Sequence, residues 1–137
     1  MSDEFKIFPV GVIRKTDTAV RIDIAEKYAE ALLGLEGFSH IVVLYWFHKN
    51  DTPKDRKILK VHPRANPKNP LTGVFATHSP KRPNLIAISI CEITSIEGNI
   101  IYIDRIDALD GTPVIDIKCY IPSTRPNTNI RVPDWIS

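Results

Sequence analysis

Residues 86–106 read Ile86-Ala87-Ile88-Ser89-Ile90-Cys91-Glu92-Ile93-Thr94-Ser95-Ile96-Glu97-Gly98-Asn99-Ile100-Ile101-Tyr102-Ile103-Asp104-Arg105-Ile106. Two apolar runs, 86–96 and 100–106, flank Glu97-Gly98-Asn99, a glycine-containing turn of the kind that joins antiparallel strands. Upstream, His40 to Phe47 is nearly continuously apolar and rich in β-branched and aromatic residues, which predicts a central strand buried on both faces. Ala19 to Ile24 alternates apolar and polar residues and predicts another strand, while Phe5 to Ile13, broken by Pro9 and Gly11, predicts a first strand at an edge or a bulge. Further strands are predicted at 57–61, 74–77 and 114–121.

One helix is expected, over residues 25–33: Asp23 and Glu26 have capping-box spacing, Ala29, Leu32 and Leu33 share a helical face, and Gly34 supplies a stop. The whole predicts a mainly β chain, a single-domain antiparallel β-barrel over residues 1–122 with one short helix and an irregular tail from 123 to 137. Trp135 is expected to dock that tail against the barrel or a second subunit.

The chain has 137 residues, 43% hydrophobic and 25% charged, enough for one domain with its own core. No apolar run approaches the ~18 residues of a membrane span and no export signal is read at the N-terminus, so the expected location is cytoplasmic, away from membranes. Cys91 and Cys119 each lie in an apolar run and are expected to be reduced core thiols; neither a disulfide framework nor a metal cluster has enough ligands.

A net charge of +2 hides an uneven distribution. Between Lys49 and Arg82 nine basic residues face only Asp51 and Asp55, whereas both flanks are acidic. One positive surface and a polyanionic partner are therefore expected, with Lys54, Arg56, Lys57, Arg64, Lys81 and Arg82 as candidate RNA contacts. The same region holds two proline-stiffened loops, 63–72 and 78–85, which lose little entropy on gripping a ligand.

Gly-rich phosphate loops, dinucleotide fingerprints, His-Glu-x-x-His and Gly-x-Ser-x-Gly are all missing from the sequence, so no nucleophile-and-base enzyme is indicated. Polar groups gather instead at predicted strand ends: Trp46-Phe47-His48-Lys49, Val61-His62-Pro63-Arg64, Thr77-His78-Ser79-Pro80-Lys81-Arg82-Pro83-Asn84, and Asp107-Ala108-Leu109-Asp110-Gly111-Thr112. Pro80 and Pro83 bracket Lys81 and Arg82 in a loop suited to an anion, and Asp107 and Asp110 can accept from ribose hydroxyls or an amino group. Asp116 and Lys118 share one face of the last strand.

These pieces, together with Gly37-Phe38-Ser39-His40, Gly73-Val74-Phe75-Ala76-Thr77 and Asp110-Gly111-Thr112-Pro113-Val114-Ile115-Asp116-Ile117-Lys118, resemble in order and over residues 8–122 the TrmO or TsaA-like proteins, a family of tRNA N6-threonylcarbamoyladenosine methyltransferases. The resemblance implies a β-barrel methyltransferase that uses S-adenosyl-L-methionine, forms a homodimer and binds the cofactor near the subunit interface. It implies cofactor contacts at His48, Lys49, His78, Ile88, Asp107, Ala108, Leu109 and Asp110, and motif positions at Arg82, Asn84, Asp116 and Lys118. This chain departs from the family's usual residues at His78 (Arg), Leu85 (Pro), Ala87 (Gly) and Cys119 (Pro), and lacks the Pro-Arg-Gln segment and the C-terminal extension of the bacterial enzymes.

Methyl transfer from a sulfonium needs in-line positioning and no covalent intermediate, and positioning supplies up to ~7–11 kcal/mol in ideal intramolecular cases. The acceptor nitrogen of threonylcarbamoyladenosine is conjugated with a carbonyl, so its proton should leave during attack, with Asp107, Asp116 or His48 as candidate bases. Tyr45, Trp46 and Asp107 are expected to favour the cationic sulfonium, and the basic segment to hold anticodon-loop phosphates. Two other readings compete: a methyltransferase with a small-molecule acceptor, and a non-catalytic RNA-binding barrel.

Overall fold

The structure is a computed structural model and describes residues 3–136. Eight strands follow in chain order: β1 Gly11–Lys15, β2 Val20–Ile24, β3 His40–Trp46, β4 Lys60–Val61, β5 Thr72–Gly73, β6 Ile86–Glu97, β7 Ile100–Ile103 and β8 Pro113–Cys119. Six of them close an antiparallel barrel in the order β1-β2-β7-β6-β3-β8, and β4 and β5 pair as a separate two-stranded sheet. The mainly β, barrel-forming expectation is met. Closure leaves the barrel without a free edge, and its inward positions supply the core: Ile13, Ile22, Ile41, Val43, Ile101, Val114 and Cys91 are fully buried.

The hairpin that opens the sequence forms as read. β6 and β7 pair from Glu97↔Ile100 to Ile93↔Ile103, and Gly98 takes the left-handed conformation (φ 61°) that the turn requires. β3 is central, bonded to β6 along its whole length and to β8 on the other side. Yet it is not buried on both faces. Ile41, Val43 and Tyr45 point into the core, while Val42, Leu44 and Trp46 form a half-buried outer face.

Elsewhere the elements shift. The first strand starts at Gly11 rather than Phe5; Pro9 has no amide to donate, and Phe5, Ile7 and Phe8 stay exposed. At Gly11 the chains approach so closely that a Cβ would lie 2.6 Å from the Asp23 carbonyl oxygen. The expected helix is a 3-10 segment, Glu26–Leu32, capped by no side chain; Asp23 instead accepts from Arg21 Nε at 2.8 Å, and Leu33 is 92% exposed. The expected strand at 74–77 is a 3-10 turn, Val74–Ala76, with β5 just before it. A four-residue α-helix not foreseen, α1 (Pro53–Arg56), starts at Thr52, whose hydroxyl accepts from the Asp55 amide at 3.1 Å.

After Cys119 the described residues form no further strand. Cys91 and Cys119 are free thiols on the two neighbours of β3, both opposite Ile41. Burial pushes the Cys91 thiol up to about 11. Among the described residues no helix is long and apolar enough to cross a membrane.

Candidate functional site

At one end of the barrel, β3 finishes in Tyr45 and Trp46, with a register shift between Leu44 and Tyr45 where β3 meets β8. Such bulges redirect side chains at a sheet's end. The Tyr45 ring is buried, and its hydroxyl lies 2.9 Å from Ser89 Oγ and donates to the Asp107 carbonyl oxygen at 2.9 Å. Burial, above all, raises its pKa; the Ser89 bond opposes and the Asp107 charge adds. Tyr45 therefore ties together the three segments β3, β6 and the 107–112 turn.

The chain leaving β3 is fastened in the same way. The Phe47 amide donates to the Leu85 carbonyl at 2.8 Å, so the start and the end of the long excursion 47–85 meet. His48–Asn50 then form a 3-10 turn, and Asn50 Nδ2 donates to Asp55 at 3.0 Å. Arg56 on α1 donates through Nε to the Pro83 carbonyl at 2.9 Å, pairs with Asp51 at 3.4 Å and lies over the Trp46 ring at 5.5 Å. Trp46 Nε1 donates to Asp51 at 3.0 Å. Arg82 folds back on its own loop, its Nη1 donating to the Thr77 and Ser79 carbonyls at 3.1 Å each.

Between these segments lies a cleft of about 630 Å³. Its lining includes His48, Lys49, His78, Ile88, Asp107, Ala108 and Leu109, which is every residue expected to touch a cofactor except Asp110. Tyr45, Trp46 and Arg82 line it as well. Residues far apart in the chain are thus brought to one place. One wall is apolar (Phe47, Ile86, Ala87, Ile88, Leu109), and Asp107, Ser89, Thr77, Lys15, Lys49 and Arg82 supply a carboxylate, hydroxyls and cations. A ligand with a planar apolar part and a charged, hydrogen-bonding part suits that lining.

Two carboxylates stand outside it. Asp110 Oδ1 accepts from the Lys15 amide at 2.8 Å, completing the end of β1, while Gly111 (φ 85°) donates to the Ile13 carbonyl. Asp110 positions the turn that carries Asp107 and is not part of the cleft lining. Asp116 is exposed on the outer side of β8, opposite Leu44, and accepts from the Ile117 amide at 2.8 Å. Lys118 shares that outer face. Of the three candidate bases, only Asp107 and His48 reach the cleft.

The candidate RNA contacts scatter more. Arg82 lines the cleft, Arg64 and Lys81 line a neighbouring one, Lys54 and Lys57 are exposed around α1, and Arg56 is held by Pro83, Asp51 and Trp46 as above. Sequence reasoning missed Lys15 and Ser89 in the lining; Lys15 ends β1 and Ser89 is the outlying partner of Tyr45, and neither carries a local motif. Trp135 is half-buried and lines the neighbouring cleft with Ile136.

A closed six-stranded barrel with a loop-built cleft at one end defines the class. Comparison with known proteins gives the family: the tRNA-methyltransferase O N-terminal domain matches residues 4–125. The chain is 55% identical over 118 residues, 86% of its length and 84% of the relative's, to a probable S-adenosyl-L-methionine-binding protein of Pyrococcus horikoshii. It is 40% identical over 113 residues, 82% of its length, to a mouse tRNA (adenine(37)-N6)-methyltransferase, of which it spans 26%. The crystal structure of TrmO from Pseudomonas aeruginosa superposes with a TM-score of 0.74 at 26% identity, covering 98% of this chain and 63% of that one. The chain belongs to the TrmO family.

Proposed function

We propose that the chain binds S-adenosyl-L-methionine in the 630 Å³ cleft and transfers its methyl group to N6 of an adenosine in tRNA, the threonylcarbamoyl-modified adenosine beside the anticodon. The observation that carries this reading is the convergence of strand-end turns 46–49, 77–82 and 107–109 on one cleft, in a chain of the TrmO family. The donor set fits the cofactor. Phe47, Ile86, Ile88 and Leu109 suit the adenosyl group, Asp107 suits a sulfonium or an amino group, and Lys49 or Arg82 suits the carboxylate.

When bound, the cofactor supplies an electrophilic methyl group for in-line displacement. The residues of this chain orient the acceptor, exclude water behind the apolar wall, and take the N6 proton on Asp107 or His48. Cations around the cleft hold the RNA phosphates. Two free thiols, one of them fully buried, suit a reducing cytoplasm.

The protein acts as a homodimer in this reading. Ile86, Ile88 and Ile90 form an exposed apolar row on the outside of β6, and Ile86 and Ile88 also line the cleft, so a second copy seated on the row would complete it. Ile90→Lys, outside the cleft lining, should give a monomer in sedimentation and weaken cofactor binding about tenfold, as ~1.4 kcal/mol per decade implies. A dimer that persists with unchanged affinity removes this contact.

The deciding assay incubates the protein with labelled cofactor and two tRNAs, one carrying the threonylcarbamoyl group and one without it. Label should enter only the former. Equal labelling of both would assign another acceptor atom, and no labelling with intact cofactor binding would favour a small-molecule acceptor.

A further inference from the structure

A second cleft of about 990 Å³ lies beside the first, and the two share Thr77, His78 and Pro80 as a common wall. It is bounded by 58–67, 75–81 and the end of the tail. Nothing in the cofactor reading uses it.

Its lining has an unusual charge balance. Lys60, Arg64 and Lys81 contribute to it, with His62 and His78, and among the described residues no aspartate or glutamate side chain does. It also displays an aromatic ring: Phe75 is 84% exposed within this lining, although its neighbour Val74 is buried and pins the backbone through the Thr77 amide and hydroxyl. An anchored turn therefore presents the phenyl ring to the cleft with its faces open for a planar group to stack on. Pro63, Pro67 and Pro80 stiffen the walls. His62 Nδ1 lies 2.8 Å from the Asn69 carbonyl oxygen, which places the proton on Nδ1 and leaves Nε2 an acceptor in the neutral ring.

An exposed aromatic ring with cations in the same lining is what an unstacked nucleobase with its phosphates requires. We infer that this second cleft is a slot for a nucleotide flanking the methyl acceptor, its base stacked on Phe75 and its phosphates held by Lys60, Arg64 and Lys81. The inference rests on the reading that the substrate is tRNA. It adds a function for the shared wall: a base seated in the slot holds the adjacent nucleotide at the mouth of the cofactor cleft, on the other side of His78.

The test uses tRNA carrying 2-aminopurine beside the acceptor adenosine, with the wild type, Phe75→Ala and Phe75→Trp. Wild type should quench or shift the probe on binding. Phe75→Ala should lose that signal and bind the tRNA roughly 10- to 100-fold more weakly, the range of one base–aromatic stack. Its cofactor affinity by calorimetry should stay that of the wild type, which also reports an intact fold, and Phe75→Trp should restore both signal and affinity. Lys60→Ala with Lys81→Ala should lower the salt dependence by about 1.4, at ~0.7 per single-strand phosphate. If the wild type methylates tRNA and Phe75→Ala binds and signals like it, the slot is wrong and the methyltransferase reading stands. If the wild type neither binds nor methylates tRNA, both fall, and competition by an acidic peptide alone would mark the cleft as a protein-docking groove.

Discussion

The barrel and the excursion between β3 and β6 obey different rules. In the barrel, alternate residues go inward, and Ile13, Ile22, Ile41 and Ile101 are spent entirely on the core. The 47–85 excursion buries only Pro63, Val74 and, at its end, Leu85, and is held by side chains gripping backbone, as Arg56 grips Pro83 and Arg82 grips Thr77 and Ser79. It carries half of all the basic residues and contributes to both clefts. A rigid core thus frees the excursion to be polar. Chemistry is assigned to it and to the 107–109 turn, while stability resides in the strands.

The largest effect should come from the groups assigned to the proton. Asp107→Asn and His48→Gln, made separately, should differ: the one that accepts the N6 proton should lower turnover by about 10²–10⁴-fold and remove one limb of the pH–rate profile. Thermal stability should hardly move, because both lie in the turns and outside the buried core. A loss of stability matching the loss of rate would break the division between core and site.

The same division explains what was legible. Period-two alternation and the Gly98 turn expose the barrel strands directly, since an inward-outward choice repeats at each residue. Short segments lacked such repetition. The spacing of Ala29, Leu32 and Leu33 suggested an α-helix, but with no side-chain cap and Leu33 left in water the segment tightens to 3-10; α1 is too short for any periodicity, although Thr52-Pro53 marks its start. In the site, strand-end positions were legible through the family resemblance, whereas the fate of each carboxylate was not. Asp110 bonds an amide 95 residues away and Asp116 its own neighbour, and only the folded register distinguishes them from Asp107.

A smaller effect tests the core side. Cys91 is 1% exposed and its thiol is raised to about 11 from an ordinary 9.0. Between those values the unfolded chain loses the proton and the folded chain keeps it, so stability is complete below pH 9 and falls as pH rises toward 11, by up to about 2–3 kcal/mol at ~1.36 per unit. Tyr45, also raised by burial, adds a loss of the same sign above pH 10. Urea denaturation at pH 8 and pH 10.5 should therefore show a smaller alkaline loss in Cys91→Ala than in the wild type. Equal losses would mean that the thiol ionises freely in the fold.

The smallest effect separates two cations of one short segment. Arg56 and Lys57 adjoin in sequence and both belong to the basic stretch, yet Arg56 holds Pro83, Asp51 and the Trp46 ring whereas Lys57 is exposed. Arg56→Ala should cost about 1 kcal/mol, since its contacts are part-exposed, and should weaken cofactor binding by loosening the loop that closes the 630 Å³ cleft. Lys57→Ala should leave both unchanged and lower only the salt slope of tRNA binding, by ~0.7. Denaturant midpoints, cofactor calorimetry and tRNA binding at several salt concentrations read the three quantities independently. Identical behaviour of the two variants would show that charge alone, and not the contacts of the guanidinium, governs this part of the excursion.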